Sequence, residues 1–256
     1  MEELLRIDHI SYSYHNLEGE TQALSDVSFG VREGEFLAIV GPSGCGKSTL
    51  LSLIAGLIEP SSGNVYIDGK DVKTSGKNIG YMLQKDHLLD WRSTVKNLTL
   101  GLEIQHKLTD SSYVLINELL STYGLITFKD ARPSELSGGM KQRAALIRTL
   151  MLEPDILLLD EPFSALDYQT RLEVGDDIWG IIRKEKKTAI LITHDIAEAV
   201  SMADRIVVLS HRPGTVKSII DVNLTVDEKT PFKTRSAPEF SDYFNLIWKE
   251  LTHVEA

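Results

Sequence analysis

Nine consecutive residues, Gly41, Pro42, Ser43, Gly44, Cys45, Gly46, Lys47, Ser48 and Thr49, carry the most explicit chemistry in the chain. The first eight fit G-x-x-x-x-G-K-[ST], the pattern of a phosphate-binding loop. Glycines allow backbone angles that turn successive N–H groups inward, and a helix starting near Lys47 presents its positive dipole end to an anion. A polyphosphate belongs there. Lys47 reaches the β and γ phosphates as a point charge, and the Ser48 hydroxyl is placed to ligate Mg²⁺. Far along the chain, Asp160 and Glu161 close the apolar run Ile156 to Leu159. Asp160 can hold Mg²⁺ through water, and Glu161 can accept a proton from an attacking water or orient it. His194 closes a further apolar run, Thr188 to Ile192; such a histidine is usually structural, but this one emerges on the same edge as the loop and the acids.

Two other stretches admit two readings each. Ser137 before Gly138 and Gly139 is an N-cap with a flexible glycine pair, or a set of donors left open to an outside anion, because Met140 three residues on cannot complete a reciprocal capping box. Spacing alone favours the cap. Tyr14, ahead of the phosphate loop, is either a packed strand residue or a platform for a purine ring.

The elements that must position these groups are legible in outline. Apolar Phe36 to Val40 reads as a strand, and Leu50, Leu53, Ile54, Leu57 and Ile58 as one helix face, so the phosphate loop stands between strand and helix. The continuous apolar run before Asp160 suits a central parallel strand buried on both faces, whose carboxyl end is where open α/β sheets bind ligands. Leu5 to Ile10, Ala23 to Val31, Asn64 to Gly69, Ile79 to Leu83, Arg205 to Leu209 and Val216 to Val222 read as further strands. His15 to Thr21 reads as a polar insert. Residues from Lys85 to about Glu153 change texture to helices, one of them capped by Asp110, and Gln169 to Arg183 forms another. Thr225 to Pro238 reads as a linker or surface excursion, followed by a helix bearing Phe240, Tyr243, Phe244, Ile247, Trp248 and Leu251.

Composition bounds the function. The chain has 256 residues, enough for one sizeable α/β core, and a net charge of −10 that opposes a broad nucleic-acid footprint. A single cysteine excludes an intrachain disulfide. The amino terminus lacks the basic region of a secretory signal, and no apolar run approaches the ~20 residues that span a bilayer. The expectation is a soluble, cytoplasmic chain. Cys45, near a helix N-terminus, is expected to be either an activated thiol protected by the ligand of the phosphate loop or a small buried residue.

The phosphate loop, Gln84, LSGGMKQR (Leu136 to Arg143), ILLLDEP (Ile156 to Pro162), SALD (Ser164 to Asp167) and His194 together resemble an ABC-type ATPase subunit, over almost the whole chain to about Val222. The Ser-Gly-Gly run separates that family from other P-loop enzymes. The resemblance implies a P-loop NTPase core with a mainly parallel sheet, an antiparallel β subdomain and a helical insertion at about 86–153, the ATPase domain filling 1–224 and residues 225–256 forming a linker and amphipathic helix. It implies ATP and Mg²⁺ as cofactors and a head-to-tail pair with a second subunit, Ser137, Gly138 and Gly139 meeting the γ-phosphate held on the other chain. Tyr14 matches an adenine-stacking aromatic, Gln84 a sensor of γ-phosphate and Mg²⁺, Asp167 an interface residue, and His194 a switch histidine. QKDHLLDWRSTVKNL (Gln84 to Leu98) and HRPGTVKSIIDVNL (His211 to Leu224) are similar to the nitrate, sulfonate and taurine importer subgroup, although Asp90 replaces its usual proline. That subgroup implies a permease docking near Lys85 to Arg92 with Trp91 as anchor, an extracytoplasmic solute-binding protein acting indirectly, no nucleic acid, and a peripheral place on the cytoplasmic face of the membrane. The alternative expectation is a soluble ABC ATPase working on nucleic acid or another macromolecule. A module that binds nucleotide without hydrolysing it is opposed by the intact Glu161 and His194.

Overall fold

A computed structural model describes residues 3–16 and 19–252. In chain order it holds β1 (Glu3–Asn16), β2 (Gly19–Arg32), β3 (Phe36–Val40), α1 (Lys47–Ile54), β4 (Ser62–Ile67), β5 (Lys70–Asp71), β6 (Ile79–Met82), α2 (Thr94–Ile104), α3 (Asp110–Thr122) and α4 (Gly138–Leu150). Then follow β7 (Ile156–Asp160), α5 (Tyr168–Lys184), β8 (Thr188–Ile192), α6 (Ile196–Met202), β9 (Arg205–Leu209), β10 (Val216–Asp221), α7 (Pro231–Thr234) and α8 (Phe240–Thr252).

The strands form two sheets. Six order as β10-β9-β3-β8-β7-β6, parallel except for β10, and four order as antiparallel β2-β1-β4-β5. Every residue of β3, β7 and β8 is buried, as their unbroken apolar runs require. Their side chains alternate between two cores. Phe36, Ala38, Leu157, Leu159, Ala189 and Leu191 face α4, α5, α6 and α8. Leu37, Ile39, Leu158, Ile190 and Ile192 face α1 and the antiparallel sheet. A third cluster, including Leu98, Leu102, Ile116, Leu120, Leu136 and Ile147, joins α2, α3 and α4 into the expected helical insertion.

Of the expected insert from His15 to Thr21, Leu17 and Glu18 lie outside the described residues, and the rest continues the pairing of β1 with β2, with Tyr14 opposite Thr21 and His15 opposite Glu20. Main-chain pairing extends beyond the apolar alternation because an antiparallel ribbon tolerates water on one side. Thr109 rather than Asp110 caps α3, exchanging bonds with Ser112 in a capping box, and Asp110 lies in the first turn. The expected linker carries α7, with Thr234 and Ala237 buried, and α6 went unread in the sequence. The last helix packs on the main core through Ile247, which is fully buried, flanked by Phe240, Tyr243, Phe244 and Leu251. Trp248 stacks on Phe244 yet stays more than half exposed.

Because Ile247 is continuous with the sheet core, Ile247→Ala is expected to cost the whole chain about 2–5 kcal/mol. Denaturant unfolding followed by tryptophan fluorescence should show one transition at a lower midpoint. A separate early transition that leaves the main one unmoved would contradict the shared core.

Candidate active site

Parallel β3, β7 and β8 release the phosphate loop, Asp160-Glu161 and Thr193-His194 at one edge of the sheet. Ile39 and Asp160 both lie opposite Ile192, and the Glu161 N–H donates to the Ile192 carbonyl at 2.9 Å. The loop itself turns on Gly44 and Gly46, both at positive φ. Gly46 also has no room for a side chain, since a Cβ there would lie 2.7 Å from Leu24 Cδ2 and 2.9 Å from the Ala23 carbonyl. The loop is thus seated on β2. Lys47 is buried and folds back over it, its ammonium donating to the Gly41 carbonyl at 2.8 Å and the Pro42 carbonyl at 3.0 Å.

Ser48 Oγ donates to Asp160 Oδ1 at 3.2 Å, which brings together two of the expected Mg²⁺ ligands. One hydroxyl and one carboxylate fit a hard cation that takes its other ligands from water and phosphate. Burial pushes the Asp160 carboxyl up from its ordinary value, against the pull of its Ser48 bond and the Lys47 charge. Tyr81, which sequence reasoning missed, donates its hydroxyl to Asp160 Oδ2 at 3.4 Å. Burial and then the Asp160 charge push that phenol up to about 12, so it remains a donor. Its signal in the sequence was slight: a tyrosine in a short strand ahead of Gln84.

Glu161 is the junction of the site. Its Oε2 accepts from Gln84 Nε2 at 3.3 Å and lies 3.1 Å from His194 Nδ1. The residue adopts φ of 45°, a left-handed conformation that costs a non-glycine residue about 1–3 kcal/mol and concentrates at functional sites. Gln84 also reaches Ser164 Oγ at 3.4 Å; its amide is engaged by these two groups and not by the Ser48–Asp160 pair. Tyr14 presents its ring beside the loop, about half exposed, edge-on to Tyr12 with its hydroxyl bonded to Thr49 Oγ1 at 2.9 Å.

The remaining predicted residues are used locally. Ser137 Oγ accepts from Met140 N at 3.3 Å as the cap of α4, and Asp167 Oδ1 accepts from Thr170 N at 3.0 Å as the cap of α5. A Cβ on Gly138 would lie 3.0 Å from Leu166, and one on Gly139 2.9 Å from Val174, so this glycine pair lets α4 begin against α5. Among the described residues, neither cap bonds to the phosphate loop. Near Gln84, the Lys85 to Arg92 segment is stapled from beneath. The fully buried Asn97 amide bonds Leu89, Arg92 and Ser93, while Arg148 donates to the Asp86 and His87 carbonyls at 2.7 Å each. On this fixed loop Trp91 is 75% exposed.

A phosphate cradle whose serine bonds a strand-end aspartate, at the carboxyl edge of a parallel sheet, is the architecture of a P-loop nucleoside triphosphatase. Residues 24–164, more than half of the chain, match the family model described as ABC transporter, and the chain belongs to that family. It is 47% identical over 251 residues to the uncharacterized ABC transporter ATP-binding protein YtlC of Bacillus subtilis, covering 98% of this chain and 96% of that one. It is 40% identical to the nitrate import ATP-binding protein NrtD of Synechocystis, over 95% of this chain and 93% of that one. To the aliphatic sulfonates import ATP-binding protein SsuB of Bacillus licheniformis it is also 40% identical, over 92% and 89%. The fold superposes on the dimeric, post-hydrolysis ATP-binding cassette MJ0796 bound to ADP and Pi with a TM-score of 0.74 and 29% identity, covering 86% of this chain and 99% of that one. The chain is therefore an ATP-hydrolysing cassette of an ABC transporter. No helix among the described residues is long and apolar enough to cross a membrane.

Cys45 resolves toward the buried alternative. Its thiol is 1% exposed, and burial pushes it up from its ordinary value despite the Lys47 charge and nearby N–H groups. Iodoacetamide at about pH 8 is therefore expected to label the native chain at least tenfold more slowly than the unfolded chain, with or without ATP. Rapid labelling that ATP suppresses would contradict this burial.

Proposed function

We propose that this chain powers the import of a small oxyanion, such as nitrate, a sulfonate or taurine, by closing on ATP with a second cassette and hydrolysing it at Glu161. The observation that carries the reading is the Gln84–Glu161 contact of 3.3 Å, because Gln84 opens the stapled segment that displays Trp91. One side chain thereby joins the hydrolytic carboxylate to a surface fit for docking. Such an exposed aromatic on a rigid loop suits a hot-spot anchor for a permease's cytoplasmic helix. The nitrate and aliphatic sulfonate import relatives support the solute class, and the solute itself would be chosen by the permease and an extracytoplasmic binding protein.

In this mechanism Tyr14 stacks the adenine and the loop amides from Gly41 to Thr49 bind the phosphates. Lys47 exchanges its carbonyl partners for phosphate oxygens. Ser48 and Asp160 would hold Mg²⁺, with Gln84 beside it, and the ion when bound would neutralise phosphate charge. Glu161 orients the attacking water and accepts its proton, while His194 holds Glu161 and the γ-phosphate in line. Ser137, Gly138, Gly139 and Asp167 of each chain complete the site on the other, in keeping with the two caps making no bond to their own phosphate loop among the described residues. Residues 1–224 would form the ATPase domain, with 225–256 as an appendage and the chain held peripherally on the cytoplasmic face of the membrane.

Glu161→Gln is expected to keep ATP affinity while turnover falls about 10²–10⁴-fold, as steady-state hydrolysis and equilibrium binding would record. Near-normal turnover would remove Glu161 as the base. Affinity purification from gently solubilised membranes tests the transport claim: a multi-spanning protein should accompany the chain in near-equal amount, and Trp91→Ala should deplete it about tenfold or more. Recovery with nucleic acid and without a membrane protein would favour a soluble ABC ATPase instead.

A further inference from the structure

Arg171, in the first turns of α5, joins two loops that the reaction scheme above uses separately. Its Nη2 donates to the Leu166 carbonyl at 3.1 Å, directly beside Asp167. Its Nη1 donates to Asp195 Oδ2 at 3.4 Å, directly after His194. Its Nε, buried and without a hydrogen bond, faces Glu198 Oε1 at 3.7 Å. Glu198 is itself buried, and its other oxygen accepts from Thr193 Oγ1 at 2.6 Å. The same Thr193 hydroxyl accepts from the Asp195 N–H at 3.0 Å, while Asp195 Oδ1 caps α6 through Ala197 and Glu198. The turn Thr193-His194-Asp195 is thus held by two carboxylates that both answer to one guanidinium.

The chemistry of the junction favours arginine. Two acceptors on different loops and a third carboxylate oxygen at 3.7 Å surround it, an arrangement that suits a planar fork of donors better than a point-charge ammonium. The space beside Arg171 and Glu198, lined also by Pro231 and Arg235, has room for about one water. Because both bonds leave one planar guanidinium, a displacement at Leu166 that moves Arg171 also moves its contacts to Asp195, next to His194, and to Glu198, which holds Thr193 on the other side.

We propose that Arg171 is a positioning residue for hydrolysis, carrying the seating of Asp167 against a second cassette to the turn that aims His194 at Glu161. The inference rests on the proposed roles of Asp167, Glu161 and His194. It gives the head-to-tail pair a physical route to turnover that runs within one chain, behind the nucleotide and not through it.

The test measures ATP affinity, KM, kcat and thermal midpoint for wild type, Arg171→Met, Arg171→Lys, Arg235→Met and Glu161→Gln. Arg171→Met should hold affinity and KM within about twofold while kcat falls about tenfold or more, with Arg171→Lys between it and wild type. Arg235→Met removes a cation from the same space without breaking a bond to either loop, and should lower the thermal midpoint more than kcat. Wild-type kcat in Arg171→Met overturns the inference, as does an equal loss of kcat in the Arg171 and Arg235 variants. If Arg171→Met does not fold, Arg171→Lys decides: reduced kcat at unchanged KM upholds the role, and wild-type kcat ends it. Full turnover in Glu161→Gln would bring down the catalytic reading and this inference together, whereas loss there with none at Arg171 would bring down only the inference.

Discussion

A buried ammonium whose hydrogen bonds, among the described residues, go to carbonyls and to no carboxylate governs this structure. Lys47 is only 6% exposed, and among the described residues its hydrogen bonds go to two carbonyls of its own loop. Burying a charge is costly unless it is paired, so a loop that holds Lys47 this way is strongly disposed to accept an anion. Everything around it fixes the loop in that form. Gly46 seats it on β2, Gly41 meets Cys45 and Leu209 too closely to carry a side chain, and α1 starts at Lys47 with its dipole toward the phosphate position.

The sheet then decides which groups share that charge. Three fully buried parallel strands end side by side, and at their ends stand the phosphate loop, the Asp160 carboxylate, the strained Glu161 carboxylate and an imidazole 3.1 Å from the latter. The strain at Glu161 and the elevated Asp160 carboxyl point the same way: the edge is held in a form that pays locally for what it offers a ligand. Ser137 and Asp167 lie outside this cluster and cap helices; any further use of them is the part of the proposal that needs a second chain.

The phosphate loop, the strand-end acids and the buried strands were legible because each rests on local pattern: fixed spacing, glycines at positive φ, unbroken apolar runs. What escaped notice depends on distant partners. Tyr81 is distinguished only by reaching Asp160, and Arg171 by bonds to Leu166 and Asp195 that no periodicity announces. The pairing of His15 and Asn16 with Glu20 and Gly19 carries no signal in the sequence because main-chain pairing needs no apolar code. Thr225 to Pro238 is the surface excursion its polar composition suggests, but that composition hides the short α7 and Thr234, buried through a bond to the Ser201 carbonyl. Cys45 lay at an electropositive helix start, yet desolvation outweighs that field.

The central claim is that one chain holds half of each working site. Sedimentation analysis of the purified Glu161→Gln chain, with ATP and Mg²⁺ or with ADP, addresses it most directly. A slowed hydrolytic step should trap the closed pair, so the account predicts a dimer mass in ATP and a monomer mass in ADP. The same monomer mass in both, at nucleotide concentrations that saturate the loop, would contradict a site completed by a second chain.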